Sequence, residues 1–208
     1  MRLTQLTSLI AALLVAVGCR MEAPERADAA AREANTGLRG MVLSEAPPRP
    51  DFVLTDARGD EFDFRAETDG YLTLLFFGYT YCPDVCPIHM SSIAEVKRDL
   101  GAKFARRVRV VFVTVDPARD TPERLRDWLG AFDPEFVGLF GPTDAVDAIQ
   151  LGLGLPPAVV PDTAAADYMV GHGSPVIAFS ADDRLVVRYP FGTRQEDWLH
   201  DLPILAGE

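Results

Sequence analysis

A nearly unbroken apolar run, Tyr71-Leu72-Thr73-Leu74-Leu75-Phe76-Phe77, leads into Gly78-Tyr79-Thr80-Tyr81-Cys82-Pro83-Asp84-Val85-Cys86-Pro87. Without polar alternation, such a run suits a strand buried on both faces of a sheet. Pro87 fits the first turn of a helix. Ile88, Ile93, Val96 and Leu100 then supply an apolar stripe that ends near Gly101. The fold must therefore cover both sides of a sheet and place two cysteines at the strand-to-helix turn. Spacing of i and i+4 would put both sulfurs on one helical face, and a helix N-terminus favours thiolate over thiol.

The chain has three cysteines, and Cys19 has a separate explanation. One early charge, Arg2, precedes an uncharged stretch that ends in Val15-Ala16-Val17-Gly18-Cys19, the pattern of a signal peptide. Small residues before the cysteine resemble a bacterial lipobox, so Cys19 is the expected lipidation site and mature N-terminus. The body is then expected in the bacterial cell envelope, anchored to a membrane on the periplasmic side, where disulfides can persist. From Arg20 to Arg49 the chain is rich in Ala, Glu, Arg and Pro and lacks aromatic residues, which reads as a disordered tether. The expected organisation is a signal peptide over 1–18, a lipid-anchored tether over 19–49 and one domain over 50–208. With 48% hydrophobic residues that domain can bury a core. A net charge of −11 argues against nucleic acid as a partner, because phosphate binding needs clustered Lys and Arg.

Along the body, Phe52–Thr55 and Glu61–Phe64 flank a glycine-containing turn and predict an N-terminal hairpin. A second buried strand is expected over Val108–Val115. Thr121 then serves as N-cap and Pro122 as first residue of a helix running to about Phe132. Phe136–Phe140 reads as a strand, and Pro142 opens a helix to about Leu151. Tyr168–Val170, Val176–Phe179 and Leu185–Tyr189 read as further strands, and a last helix starts near Thr193. The class is α/β, and strand-helix-strand order followed by a terminal hairpin and helix gives a thioredoxin-like layout in a single domain.

Two thiolates plus one imidazole would make a three-donor site suited to Cu(I) and usable by Cu(II). A structural disulfide is the plainer reading of two exported cysteines, but Cys82 and Cys86 would close so small a loop that it would staple little. His89, His172 and His200 compete as the third donor. Spacing favours His89 only if the helix begins before Cys82, which Pro83 and Pro87 argue against. His172, between Gly171 and Gly173, sits on a loop, and His200 is expected to face solvent.

Phe77-Gly78-Tyr79-Thr80, Cys82-Pro83-Asp84-Val85-Cys86-Pro87, Val115-Asp116-Pro117, Arg119-Asp120-Thr121-Pro122-Glu123 and Asp167-Tyr168-Met169-Val170 with His172 together resemble the Sco (SenC/PrrC) family over about residues 50–192. The resemblance implies a thioredoxin-like fold and one copper ion per chain, Cu(I) or Cu(II), held by Cys82, Cys86 and His172 with Asp116 nearby. It further implies a metallochaperone that loads the binuclear copper site of cytochrome c oxidase subunit II, served by a copper donor chaperone or a thiol reductant. The alternative is a thiol-disulfide oxidoreductase acting on the oxidase subunit or other exported proteins, with Cys82 and Cys86 as the redox pair. A peroxidase of the same fold wants Thr three positions before its nucleophile, where this chain has Tyr79. Two departures stand out: Gly171 where the family usually has Asp, and Tyr81 where it often has His or Phe. Ser174-Pro175-Val176 is similar to the proline-strand element of thioredoxins, so Pro175 is expected to be cis and to face the cysteines.

Overall fold

The computed structural model describes residues 36–161 and 167–207. The expected signal peptide, Cys19 and most of the expected tether lie outside the described residues. The chain divides into two units, Met1–Gly37 and Leu38–Glu208, and the second is the folded body. Its elements are β1 (Met41–Val42), β2 (Val53–Asp56), β3 (Glu61–Asp63), α1 (Phe64–Thr68), β4 (Leu72–Gly78), α2 (Val85–Ala105), β5 (Val108–Thr114), α3 (Pro122–Gly130), β6 (Val137–Phe140), α4 (Thr143–Gly152), β7 (Val176–Phe179), β8 (Val186–Tyr189) and α5 (Gln195–Leu205).

One sheet runs in the order β1-β8-β7-β4-β5-β6-β2-β3. β4, β5 and β6 are parallel and joined by the crossovers α2 and α3, whereas β7 pairs antiparallel with the other edge of β4. This is the thioredoxin-like arrangement that the element order predicts, with the N-terminal hairpin β2–β3 added beyond β6. All seven residues of β4 are buried. Since alternate side chains of a strand point to opposite faces, both faces of the sheet are covered at its centre. The C-terminal end of β4 is where Cys82 is delivered.

Three boundaries differ from those predicted. First, residues expected in the tether belong to the folded body. Leu38 is buried, Met41 and Val42 pair with β8, and the backbone N–H groups of Arg39 and Gly40 donate to the buried Asp201 carboxylate. Arg49, also buried, donates to Asp183, Thr68, Thr73, Tyr71 O and Ser180 O. Polar composition concealed this, because a guanidinium with five donors can be buried once each finds an acceptor. The expected domain start at residue 50 is corrected to Leu38. Second, α2 continues to Ala105 through a kink at Gly101, whose φ of 82° lies in the left-handed region open to glycine. Third, Tyr168–Val170 is no strand. Among the described residues the nearest ladder contact is the isolated bridge between Val159 and Gly171, just beyond this stretch.

Candidate functional site

Between the end of β4 and the start of α2, the Cys82 N–H donates to Tyr79 O at 3.2 Å. Cys82 thus lies in the turn, as Pro83 implies, and Cys86 occupies the first helical turn, fully buried. Gly78 makes this approach possible: a Cβ there would stand 2.9 Å from Cys86 Sγ. The turn is pinned from behind by a buried residue that sequence reasoning missed. Asp120 accepts from Thr80 N, Thr80 Oγ1 at 2.6 Å and Thr114 Oγ1 at 2.6 Å, and Arg124 Nε donates to Thr80 Oγ1 at 2.7 Å. The sequence signal was only an Asp beside the N-cap Thr121, which reads equally well as a surface loop carboxylate.

Both cysteines are free thiols. The Cys86 N–H points at Cys82 Sγ, 3.5 Å away. The Cys86 thiol and the amides of Cys86 and Asp84 hydrogen-bond to Cys82 sulfur, and with the field of His172 they outweigh burial and pull the Cys82 pKa down to about 5. Cys86 moves the opposite way, because its proton is shared with Cys82 and its sulfur is buried. The pair therefore carries one negative charge at neutral pH, on Cys82, at a helix N-terminus that favours it.

His172 comes from a segment 86 residues beyond Cys86, and its Nε2 lies 3.9 Å from Cys86 Sγ. Its Nδ1 is 3.0 Å from Gly173 O. A carbonyl only accepts, so Nδ1 is the donor of that bond, and Nε2 is the ring atom turned towards the sulfur. The Tyr79 ring stands edge-on to the imidazole at 5.7 Å, and Phe76 does so at 6.1 Å. The spacing suits a shared metal: with bonds of about 2.3 Å to sulfur and 2.0 Å to nitrogen at 120°, the donors stand about 3.7 Å apart. Among the described residues no three His, Cys, Asp or Glu side chains are already gathered as a closed metal site, so one donor must shift for all three to hold one ion.

His89 is buried, with Nε2 3.1 Å from Ser174 O and its ring between Phe76 and Phe191. Burial lowers its pKa to about 4, so it is a neutral donor that buttresses the segment after His172. The Ser174–Pro175 bond is trans, which corrects the expected cis geometry. Trans is the intrinsic preference, and the Ser174 carbonyl is held by His89. His200, half exposed on α5, pairs with Asp201. Of the three histidines, His172 alone is brought to the cysteines.

Asp116 is buried beyond β5, where it accepts from Arg119 Nε at 2.5 Å and Tyr168 Oη at 2.8 Å. It stands at one remove from the sulfurs rather than against them. Arg119 in turn lies over Tyr168 at 3.5 Å, Tyr81 at 4.9 Å and Tyr79 at 5.7 Å from the ring centroids. Gly171, where the resemblance has Asp, exchanges both backbone hydrogen bonds with Val159, at 2.7 and 3.0 Å.

The family model described as SCO1/SenC matches residues 43–206. A protein of Stutzerimonas stutzeri named as copper-binding is 32% identical over 146 residues, 70% of either chain. A SCO2-like protein of Rickettsia felis is 42% identical over 91 residues, 44% of this chain, and the match spans only 43% of that relative. The copper-bound structure of ScoI from Bradyrhizobium japonicum is similar with a TM-score of 0.66 at 34% identity, covering 76% of this chain and 99% of that one.

Proposed function

The chain belongs to the SCO1/SenC family, and from that premise we propose that it is a membrane-tethered copper metallochaperone that loads the binuclear copper site of cytochrome c oxidase subunit II. The observation that carries this reading is the 3.9 Å approach of His172 Nε2 to Cys86 Sγ, beside Cys82, whose thiol the Cys86 side chain holds well below the ordinary range. Copper here is cargo. Two soft sulfurs suit Cu(I), and the imidazole extends the set to one that also serves Cu(II). Cys82, Cys86 and His172 are the proposed ligands, with Asp116 acting through its neighbours.

The pKa asymmetry of the pair supports a second reading, thiol-disulfide exchange. The Cys82 thiolate would attack a partner disulfide, forming a mixed disulfide and releasing one partner thiolate. Cys86, losing its proton, would then displace the second. The partner gains two electrons and the chain is left with a Cys82–Cys86 disulfide.

His172→Ala separates the two. It should weaken Cu(II) binding strongly, spare weaker Cu(I) binding through both sulfurs, and impair transfer to an apo fragment of subunit II. Reduction of a model disulfide should stay within about threefold, since the thiols suffice for exchange. Normal copper transfer with collapsed disulfide reduction would replace the chaperone reading with the oxidoreductase one. The proposed setting is the periplasmic face of a membrane, reached by cleavage after residue 18 and lipidation of Cys19. Mass spectrometry of the native N-terminus tests it, and an intact Met1 would refute it.

A further inference from the structure

We propose that Tyr168 is a positioning residue: it latches the loop that carries His172 onto the buried Asp116–Arg119 pair, and so sets whether copper at the cysteine pair gains its imidazole ligand. The copper half of this proposal rests on the reading above. The latch itself rests on contacts among the chain's own residues.

The loop is anchored unevenly. Its backbone bridge, Gly171 to Val159, is at the surface, where Val159 is 68% exposed and solvent competes for the same groups. Met169 is also exposed, and Val170 buries a single small side chain. Tyr79 Oη reaches Met169 Sδ at 3.7 Å and His89 holds Ser174 O at 3.1 Å, but Tyr168 makes the one bond to a carboxylate, from its Oη to Asp116 Oδ1 at 2.8 Å. Its ring is clamped beneath the Arg119 guanidinium, which is itself bonded to the other carboxylate oxygen of Asp116.

What the loop is tied to matters as much as the tie. The backbone N–H of Asp116 donates to Thr114 Oγ1, and the next residue back, Val115, donates to Gly78 O at 2.8 Å. Gly78 is the strand end that abuts Cys86 Sγ. The base of the latch and the thiol pair are therefore fixed to one scaffold, and the latch joins that scaffold to the loop four residues before His172, while His89 holds the loop two residues after it. The latch therefore acts on the one donor that comes from an irregular loop rather than from the strand end and helix start. Tyr168 is only partly buried, so the bond can open without dismantling the core.

The test uses the full chain, reduced and free of oxygen, as wild type, Tyr168→Phe, His172→Ala and the double variant. Tyr168→Phe keeps the ring under Arg119 and leaves Asp116 its arginine, so the fold is retained. It should weaken Cu(II) binding about tenfold, in the range found when a partner that orients a ligand is removed, and reduce nitrogen coupling in the Cu(II) electron paramagnetic resonance spectrum. Cu(I) binding, measured by chelator competition, should change by less than about threefold, since the sulfurs dominate it. In the His172→Ala background the same change should have no further effect. Equal losses in both backgrounds, or no loss in either, overturn the proposal. A wild-type chain that takes up neither ion overturns the copper half. In that event hydrogen exchange decides the latch: faster exchange at the amides of 171–173 in copper-free Tyr168→Phe supports it, and unchanged exchange refutes it.

Discussion

Gly78→Ala tests how the strand end holds the thiol pair. A Cβ at this position would lie 2.8 Å from Phe76 Cε1, 2.9 Å from Cys86 Sγ and 3.0 Å from Phe112 Cε2. Carbon contacts in a packed interior settle at about 3.5–4.0 Å, so each gap must widen by roughly 0.5–1 Å. Phe76 and Phe112 are fully buried and tilt against each other at 5.8 Å, which leaves the rings little room. The sulfur, on the first turn of α2, is the atom best able to give. Overpacking of this kind costs about 1–3 kcal/mol, and a loss near 2 kcal/mol should lower the urea midpoint by roughly 1 M. In a Cys86→Ser background the smaller oxygen should relieve about 0.5–1 kcal/mol of that loss, which a double-mutant cycle measures as coupling. Displacing Cys86 should also weaken binding of both copper oxidation states. A midpoint within about 0.3 M of wild type, well inside the shift expected from such a loss, would refute the close approach of strand and sulfur.

Arg49→Met, or a chain trimmed to begin at residue 50, should lose about 3–5 kcal/mol, because buried acceptors of a charged donor are orphaned; the melting temperature should fall by roughly 10 °C, and an unchanged value would restore the tether reading of 38–49. For Cys82 the sign follows from its lowered pKa: thiolate predominates above about 5, so iodoacetamide alkylation of the copper-free protein should already be near its plateau at neutral pH, with Cys82 modified ahead of buried Cys86. Peptide mapping reads the order, and a rate that keeps climbing to the ordinary thiol range, or equal labelling of the two, would overturn the assignment. Stability should change in the same sense, with the Cys82 contribution present above the unfolded thiol pKa and lost as pH falls through about 5, so Cys82→Ser should flatten that part of the urea-midpoint profile.

What could be read from the sequence was whatever a local pattern encodes. The apolar run before Gly78 and the two proline-flanked cysteines fixed a buried strand, a turn and a helix start, because periodicity and backbone restriction act over a few residues. Spacing alone left His89 and His172 both open as the third donor, and it is the fold that brings His172, from a distant loop, to 3.9 Å from a sulfur. His89 looked like an ordinary helical histidine, yet it is buried against Ser174 O and shapes the proline segment. Arg49, Asp120 and Tyr168 were illegible for a common reason: each is a polar residue whose role is defined by partners far along the chain. Composition assigns such residues to the surface, and only the tertiary fold supplies the acceptors that allow their burial.

The thiols and the imidazole thus depend on different parts of the molecule, and this makes their contributions separable. The sulfurs are set by the central strand and the first turn of α2, with Gly78 behind them. The imidazole is set by an irregular loop tied through Tyr168. A perturbation of the strand end should therefore lower affinity for both copper oxidation states and lower stability together, because the same packing holds the core and the sulfur. A perturbation of the latch should lower Cu(II) affinity while sparing Cu(I), at a stability cost of about 1.5 kcal/mol, the low end for a hydrogen bond to a charged group. If Gly78→Ala and Tyr168→Phe produced the same pattern across these three measurements, the two halves of the site would be one mechanical unit, and the division between rigid sulfurs and a positioned imidazole would fail.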